Sequence, residues 1–336
     1  MKLGLRGIIG IALSAVLLWW TLRDVSLAVV WTELRRSNGW LFFWATLSST
    51  IIFPLRARRW QTILEPVAPN QPFGALWKAT AVGMMANNVL PARAGEIVRA
   101  YALTHQTKVP LSTSIASLAV DRLFDMLVLL LLAVVAFLDP AFPRNAQIAG
   151  QTIGSLAQGS VVLVGLLFAT LYGLAFFPSQ IVRIYEIFTR PISPVLEARG
   201  KAVLTRFSEG LSVLKSPGRF ASVLAWALLH WLCNALGFWL GFKAVGIELP
   251  FSAALFLQTL IAVGVALPSA PGFFGFFEKI TVVGLAIYGV GAPLATSFAI
   301  GYHILTFIPI TLIGLWYFAR LGLNLKKIDS ARGAPA

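Results

Sequence analysis

Apolar residues run through this chain in long stretches, separated by short basic segments. A stretch of about 20 such residues, at ~1.5 Å each, spans the ~30 Å hydrocarbon core of a bilayer as a helix. Windows of this kind predict full spans near 7–22, 39–55, 112–138, 158–178, 220–244 and 293–319. Two further apolar pieces, 72–108 and 250–290, are each broken by a proline followed by a glycine. A helix does not continue through such a break in lipid unless neighbours satisfy the freed backbone groups. The segment "VSLAVVWTELRRS", 25–37, has the pattern of a short amphipathic helix lying on the membrane surface. The expected fold class is an all-α polytopic integral membrane protein with about six full spans and two re-entrant helical hairpins.

The two broken pieces resemble each other. "PFGALWKATAVGMMANNVLPARAGE" starts at Pro72 and "PFSAALFLQTLIAVGVALPSAPGFFGFFE" starts at Pro250. Both open Pro-Phe, run through apolar helices of similar length and break at Leu-Pro-x-x-x-Gly. An acidic residue then follows, Glu96 in one and Glu278 in the other. Entering from opposite leaflets, they would form an inverted-topology repeat whose broken helices meet near the midplane. Chance similarity is the competing explanation, since Leu, Pro, Gly and Ala abound in membrane helices. The corresponding organisation is one transmembrane domain over 1–336. It divides into a half-repeat at 39–138, a connecting span and basic loop at 139–219, and a half-repeat at 220–320.

Composition agrees with the membrane reading. Of 336 residues, 58% are hydrophobic and 12% charged, with mean hydropathy +0.80, against about 25% charged in soluble domains. The net charge of +14 would suggest nucleic acid in a soluble protein. Here Lys and Arg cluster in short loops with no aromatic-interleaved basic face. They point to orientation by positive charge and to anionic lipid headgroups, not to nucleic acid.

Lys2 and Arg6 place the N-terminus in the cytoplasm. No small-x-small cleavage site follows, so the first apolar run is expected to remain as a span. The second span would return inside at "RARRW", with Arg56, Arg58 and Arg59. If both hairpins return to the side they left, the basic loop 179–219 and Arg320, Lys326, Lys327 and Arg332 are also cytoplasmic. A lone crossing at 72–90 would put the most basic loop outside. Charge does not separate re-entrant hairpins from pairs of complete spans, which have the same parity. The expected location is the inner, cytoplasmic membrane. The lone cysteine, Cys233, excludes an intrachain disulfide and a multi-cysteine metal site.

Polarity inside this apolar chain marks candidate chemistry. A helix starting after Pro91 or Pro268 would present unpaired amide hydrogens and a positive dipole end toward the membrane interior, which favours an anion. Arg93, Glu96 and Arg99 are spaced three apart and form a stripe if helical. In "VDRLFD", Asp121 and Asp125 share a helix face and Arg122 neighbours Asp125. At ~1.5 Å per residue, Asp121 and Arg122 lie roughly 15 Å into their span, and His303 and His230 lie comparably deep. His230 reads as a structural hydrogen bonder, while Lys243 and Lys279 read as snorkelling to headgroups. Charge at such depth is costly and normally lines a polar chamber with partners. A structural ion network and a binding site are compatible, since acids that hold arginines in place preorganise a phosphate cradle.

"NNVLPARAGEIVRA", "VDRLFD", "LPSAPGFFGFFE" and "GYH" resemble the flippase-like family that includes the transmembrane domain of lysylphosphatidylglycerol synthases. The resemblance covers nearly the whole chain. It implies a polytopic helical protein that moves lipids between leaflets, with relatives linked to lysylated phospholipids, hopanoids or polyprenyl-linked sugars. Two positions depart from the family pattern. Asp121-Arg122 stands where many members carry Glu-Arg, and His303 follows Tyr302 where many carry Arg.

The leading expectation is a lipid translocase without enzymatic activity, resident cofactor or metal. Its substrate would be a phosphate-bearing lipid: a phospholipid, aminoacylated lipid, hopanoid or polyprenyl-linked lipid. The expected substrate-binding residues are Asn88, Arg93, Gly95, Glu96, Arg99, Asp121, Arg122, Asp125, Gly272, Glu278 and His303. A noncatalytic scaffold for envelope assembly is the next reading. A membrane-embedded headgroup transferase is the third, and it lacks a nucleophile-base pair, metal-ligand spacing or nucleotide-binding loop in the sequence.

Overall fold

The computed structural model describes residues 15–23, 26–90, 94–144, 147–148, 151–152, 176–191, 215–265 and 271–324, with scattered positions between 159 and 205. After helical residues 15–22 come α1 Leu27–Arg36, α2 Gly39–Leu64, α3 Phe73–Val89, α4 Gly95–Gln106 and α5 Leu111–Leu138. A two-residue antiparallel ladder joins β1 Gln147–Ile148 to β2 Gln151–Thr152. The chain continues with α6 Pro178–Thr189, α7 Pro217–Ala244, α8 Phe251–Gly264, α9 Phe276–Ala286 and α10 Ala292–Arg320. Among the described residues the architecture is thus helical throughout, apart from that short ladder.

Among the described residues, α7 and α10, 28 and 29 residues long, have the length and apolar content to cross a membrane. The helices α2 and α5 are comparably long, at 26 and 28 residues, and bury Arg56 and Arg59 on the one and Asp121 and Asp125 on the other. Surface helix α1 begins and ends within the predicted amphipathic segment, and its last turn holds Arg35 and Arg36. About half of the span predicted at 158–178 lies outside the described residues, and the described positions 162–163, 165–166 and 169–170 are helical.

One helix runs past the span predicted for it. The span expected to end at 55 continues as α2 to Leu64. Its buried face, Phe53, Ala57, Trp60 and Leu64, keeps helical spacing straight through "RARRW". Arg56 and Arg59 are therefore buried, and of the three arginines only Arg58 is exposed. That segment is not simply a cytoplasmic anchor.

Each broken piece folds into a helical hairpin. Helices α3 and α4 lie side by side because Gly83 lacks a side chain: a Cβ there would come within 2.6 Å of Arg99 Cβ and 2.9 Å of the Gly95 carbonyl oxygen. Near the other end of the pair, Gln106 Nε2 donates to the Ala75 carbonyl at 3.3 Å. Helices α8 and α9 close similarly, with Gly284 facing Leu257 and Leu260. The turn Pro271–Phe273 before α9 packs against α3, so the two hairpins touch near their breaks.

The halves are knitted by hydrogen bonds across long sequence separations. Ser48 donates to the Cys233 carbonyl at 2.6 Å, Trp77 Nε1 to Tyr317 Oη at 2.9 Å, and Asn88 Nδ2 to Thr311 Oγ1 at 2.9 Å. An aromatic core of Phe238, Phe242, Phe298 and Tyr302 fills the space between α7 and α10.

Candidate functional site

The site is organised by α5. One turn of helix separates Asp121 from Asp125, and α2 sets Arg59 opposite both. Arg59 donates from Nε to Asp121 Oδ1 at 2.6 Å and from Nη1 to Asp125 Oδ1 at 2.7 Å. Arg99 on α4 donates from Nη1 to the other oxygen of Asp121 at 3.1 Å. Its guanidinium carbon lies 4.3 Å from the Trp60 ring centroid. Trp231 Nε1 on α7 donates to Asp125 Oδ1 at 2.9 Å. Arg122 bridges outward, from Nη1 to Asp125 Oδ2 at 3.1 Å and from Nη2 to Glu96 on α4. Carboxylates this deeply buried persist as anions only where cations and donors replace the lost water. Here α2, α4 and α7 supply them, together with Arg122 on α5 itself.

Beside this network lies a cavity of about 510 Å³, within the range of small-ligand sites. One wall is charged, formed by Arg56, Glu96, Arg122 and Asp125. Amides contribute the rim: Asn87 and Asn88 at the end of α3, Asn234 on α7 and Gln258 on α8. The rest is largely apolar, including Ile52, Leu129, Ile261 and Phe277. Chemically the chamber combines charged groups, amide hydrogen-bonding groups and apolar surface in one lining.

A second ionisable pair borders the cavity from the other hairpin. His303 on α10 meets Glu278 on α9, Nδ1 to Oε1, at 2.6 Å. The other oxygen of Glu278 accepts the Gly275 N–H at 2.6 Å, capping the start of α9. The imidazole lies between Phe274 and Phe277, with ring centroids 4.5 and 4.4 Å away.

The expected site residues therefore separate by position. Asn88, Glu96, Arg122, Asp125 and His303 line the cavity. Arg99, Asp121 and Glu278 are buried behind its lining and contact the residues that form it. Gly95 donates its N–H to Asn87 Oδ1 at 3.0 Å, and Gly272 has φ 70°, a left-handed conformation that glycine adopts freely. Arg93 lies outside the described residues, as do Pro91 and Pro268 and the amides directly after them. Among the described residues, no group of three or more His, Cys, Asp or Glu side chains is arranged to hold a metal ion.

Sequence reasoning missed Arg56, Arg59, Asn234 and Gln258, and took His230 for structure alone although it also lines the cavity. A signal existed for the arginines. They sit three apart inside an apolar face that keeps helical spacing on both sides, which is the pattern of an interior helix and not of a loop. Gln258, a single amide in "LFLQTL", carried a weaker version of the same signal.

A helical architecture, two helices long and apolar enough to cross a membrane and a charged interior cavity fit a membrane protein. The family of lysylphosphatidylglycerol synthase transmembrane regions matches residues 7–314, and the chain belongs to that family. It is similar to a UPF0104 membrane protein of Methanothermobacter thermautotrophicus, 28% identical over 277 residues, covering 78% of each chain. A UPF0104 membrane protein of Pyrococcus horikoshii is 24% identical over 329 residues, covering 94% of this chain and 96% of the relative. A shorter likeness joins it to Glycosyltransferase AglD of Haloferax volcanii, 37% identical over 83 residues. That match covers 25% of this chain and 13% of the glycosyltransferase.

Proposed function

We propose that this protein moves a lipid between membrane leaflets by housing its polar headgroup in the cavity while the acyl chains stay in the bilayer. The observation that carries this reading is a cavity of about 510 Å³ with both charged and apolar lining, bordered by both hairpins. A headgroup needs polar partners to enter hydrocarbon, and the charged wall offers them at a cost already met by the ion network. Arg122 is the most accessible arginine of the network, with its side chain 40% exposed, and offers a passing headgroup a cationic contact. The hairpins are taken to be re-entrant from opposite leaflets, as an inverted repeat, with both termini in the cytoplasm of a cell with this inner-membrane protein. The role is transport, not catalysis.

The test is reconstitution in vesicles with a labelled phospholipid in one leaflet. The wild type should accelerate its exchange between leaflets, and Arg122→Ala should remove that acceleration while remaining monodisperse. Exchange at the protein-free rate with wild type would sink the proposal. The local likeness to a glycosyltransferase favours one second reading, a lipid headgroup transferase. Conversion of a lipid to a new mass by the purified protein would put that reading first.

A further inference from the structure

Four guanidinium groups meet three carboxylates at the charged wall: Arg56, Arg59, Arg99 and Arg122 against Glu96, Asp121 and Asp125. Among the described residues this cluster carries one surplus positive charge. Its location can be read from the hydrogen bonds. Arg59 binds two carboxylates, Arg122 binds two, and Arg99 binds Asp121 while lying over Trp60. Arg56 is different. Its one side-chain hydrogen bond runs from Nη1 to Met84 Sδ at 3.5 Å, and its closest carboxylate oxygen, on Asp125, is 3.9 Å from Nη2.

Arg56 Nε and Nη2 have no hydrogen-bond partner, yet the residue is only 6% exposed and lines the cavity. A guanidinium has five N–H donors and stays charged, so burial with donors unused is costly unless a ligand completes them. The nearest counter-charge, Asp125, is already shared with Arg59, Arg122 and Trp231. His230 Nδ1 lies 3.7 Å from Asp125 and forms no hydrogen bond. Across the cavity, the Glu278 carboxylate is already met by His303 and the Gly275 amide. Gln258 also leaves Nε2 without a partner, its oxygen being taken by Asn234 at 3.1 Å.

We propose that Arg56 is the anion receptor of the cavity and that the headgroup it receives bears one net negative charge, as a phosphodiester lipid does. This rests on reading the cavity as a headgroup site. The planar guanidinium of Arg56 suits the oxygens of a phosphate once Nε and Nη2, shielded as they stand, turn toward the cavity that the residue lines. One negative charge balances the surplus. A second would stand uncompensated beside Asp125 and Glu96 in a low-dielectric chamber. The unfilled Gln258 amide offers a neutral donor, suited to a hydroxyl or ester oxygen.

The test is equilibrium binding by the full-length protein purified in uncharged detergent. Short-chain phosphatidylglycerol, phosphatidylcholine and phosphatidic acid, the last at pH 8, supply one, zero and nearly two net negative charges. Dimethyl phosphate supplies the same diester without a lipid. Phosphatidylglycerol should bind about tenfold or more tightly than each of the others. Arg56→Gln should lower that affinity about tenfold, Arg56→Lys should restore most of it, and exposed Arg58→Gln should leave it unchanged. Equal affinity for the three lipids, or an Arg56→Gln protein that binds like wild type, would overturn the assignment. Tighter binding of dimethyl phosphate would overturn its lipid part. If Arg56→Gln does not purify as a monodisperse species, the wild-type charge preference decides. Binding with this profile and no lipid exchange in vesicles would remove the transport proposal and leave the receptor in place; exchange without the charge preference would do the reverse.

Discussion

Arg59 and Asp121 share a 2.6 Å hydrogen bond across 62 residues of sequence, between side chains that are both fully buried. This pair pins α2 to α5, and through Asp125 it also fixes the wall of the cavity. Removing one partner of such a cluster strands an ion where water cannot reach it. Arg59→Leu, which leaves two carboxylates short of a cation, should cost about 3–5 kcal/mol. Thermal unfolding of the purified protein should show the loss as a large fall in midpoint. Arg59→Lys should lie between, because an ammonium cannot bind both carboxylates with a planar fork.

Much of this architecture was readable from residue patterns, and the exceptions have physical causes. The helices α5, α7 and α10 coincide with apolar stretches predicted at 112–138, 220–244 and 293–319, and the shared face of Asp121 and Asp125 followed from helical spacing. "RARRW" misled because a basic cluster beside an apolar run has the same composition whether it meets headgroups or buried carboxylates. Only the partner distinguishes these cases, and Asp121 and Asp125 are far away in sequence. The division of labour among the charged residues was hidden for a related reason. Spacing shows that Arg99 and Arg122 can approach acids, but packing against Trp60 decides that Arg99 is walled in while Arg122 faces the cavity.

Arg122 and Glu96 form the most accessible contact of the network, with side chains 40% and 32% exposed. That pair contributes about 0–1 kcal/mol, but Arg122 also bonds the buried Asp125 at 3.1 Å, so Arg122→Ala should cost about 1–3 kcal/mol, less than Arg59→Leu. Its lipid exchange in vesicles, under conditions where the variant stays folded, should fall at least about tenfold, the loss expected when a charged hydrogen bond to the moving group is removed. A variant losing exchange only where it unfolds would instead mark Arg122 as a structural residue.

Gly83 sets the distance between α3 and α4. A Cβ there would meet Arg99 Cβ at 2.6 Å and the Gly95 carbonyl oxygen at 2.9 Å, and neither atom can swing aside by a rotamer change. Gly83→Ala should therefore destabilise by about 1–3 kcal/mol, as overpacking does, and should disturb the Arg99–Asp121 bond behind it. Gly74, on the same helix, has nothing within 4 Å of its would-be Cβ. Gly74→Ala is expected to be neutral or slightly stabilising, by the better helix propensity of alanine. Unfolding midpoints of the two variants, measured side by side, separate close approach from a general effect of losing glycine.

Glu278 serves two partners at once, the Gly275 N–H and His303 Nδ1, each at 2.6 Å. If it acted only as a cap for α9, Glu278→Ala would cost the same whether or not His303 were present. The geometry instead ties the start of α9 to the middle of α10, with Phe274 and Phe277 holding the imidazole on the carboxylate. A double-mutant cycle with Glu278→Ala and His303→Ala should therefore give a coupling energy of about 1–3 kcal/mol. Strict additivity in unfolding free energy would show that the imidazole contributes nothing to the cap, leaving His303 as a side chain of the cavity alone.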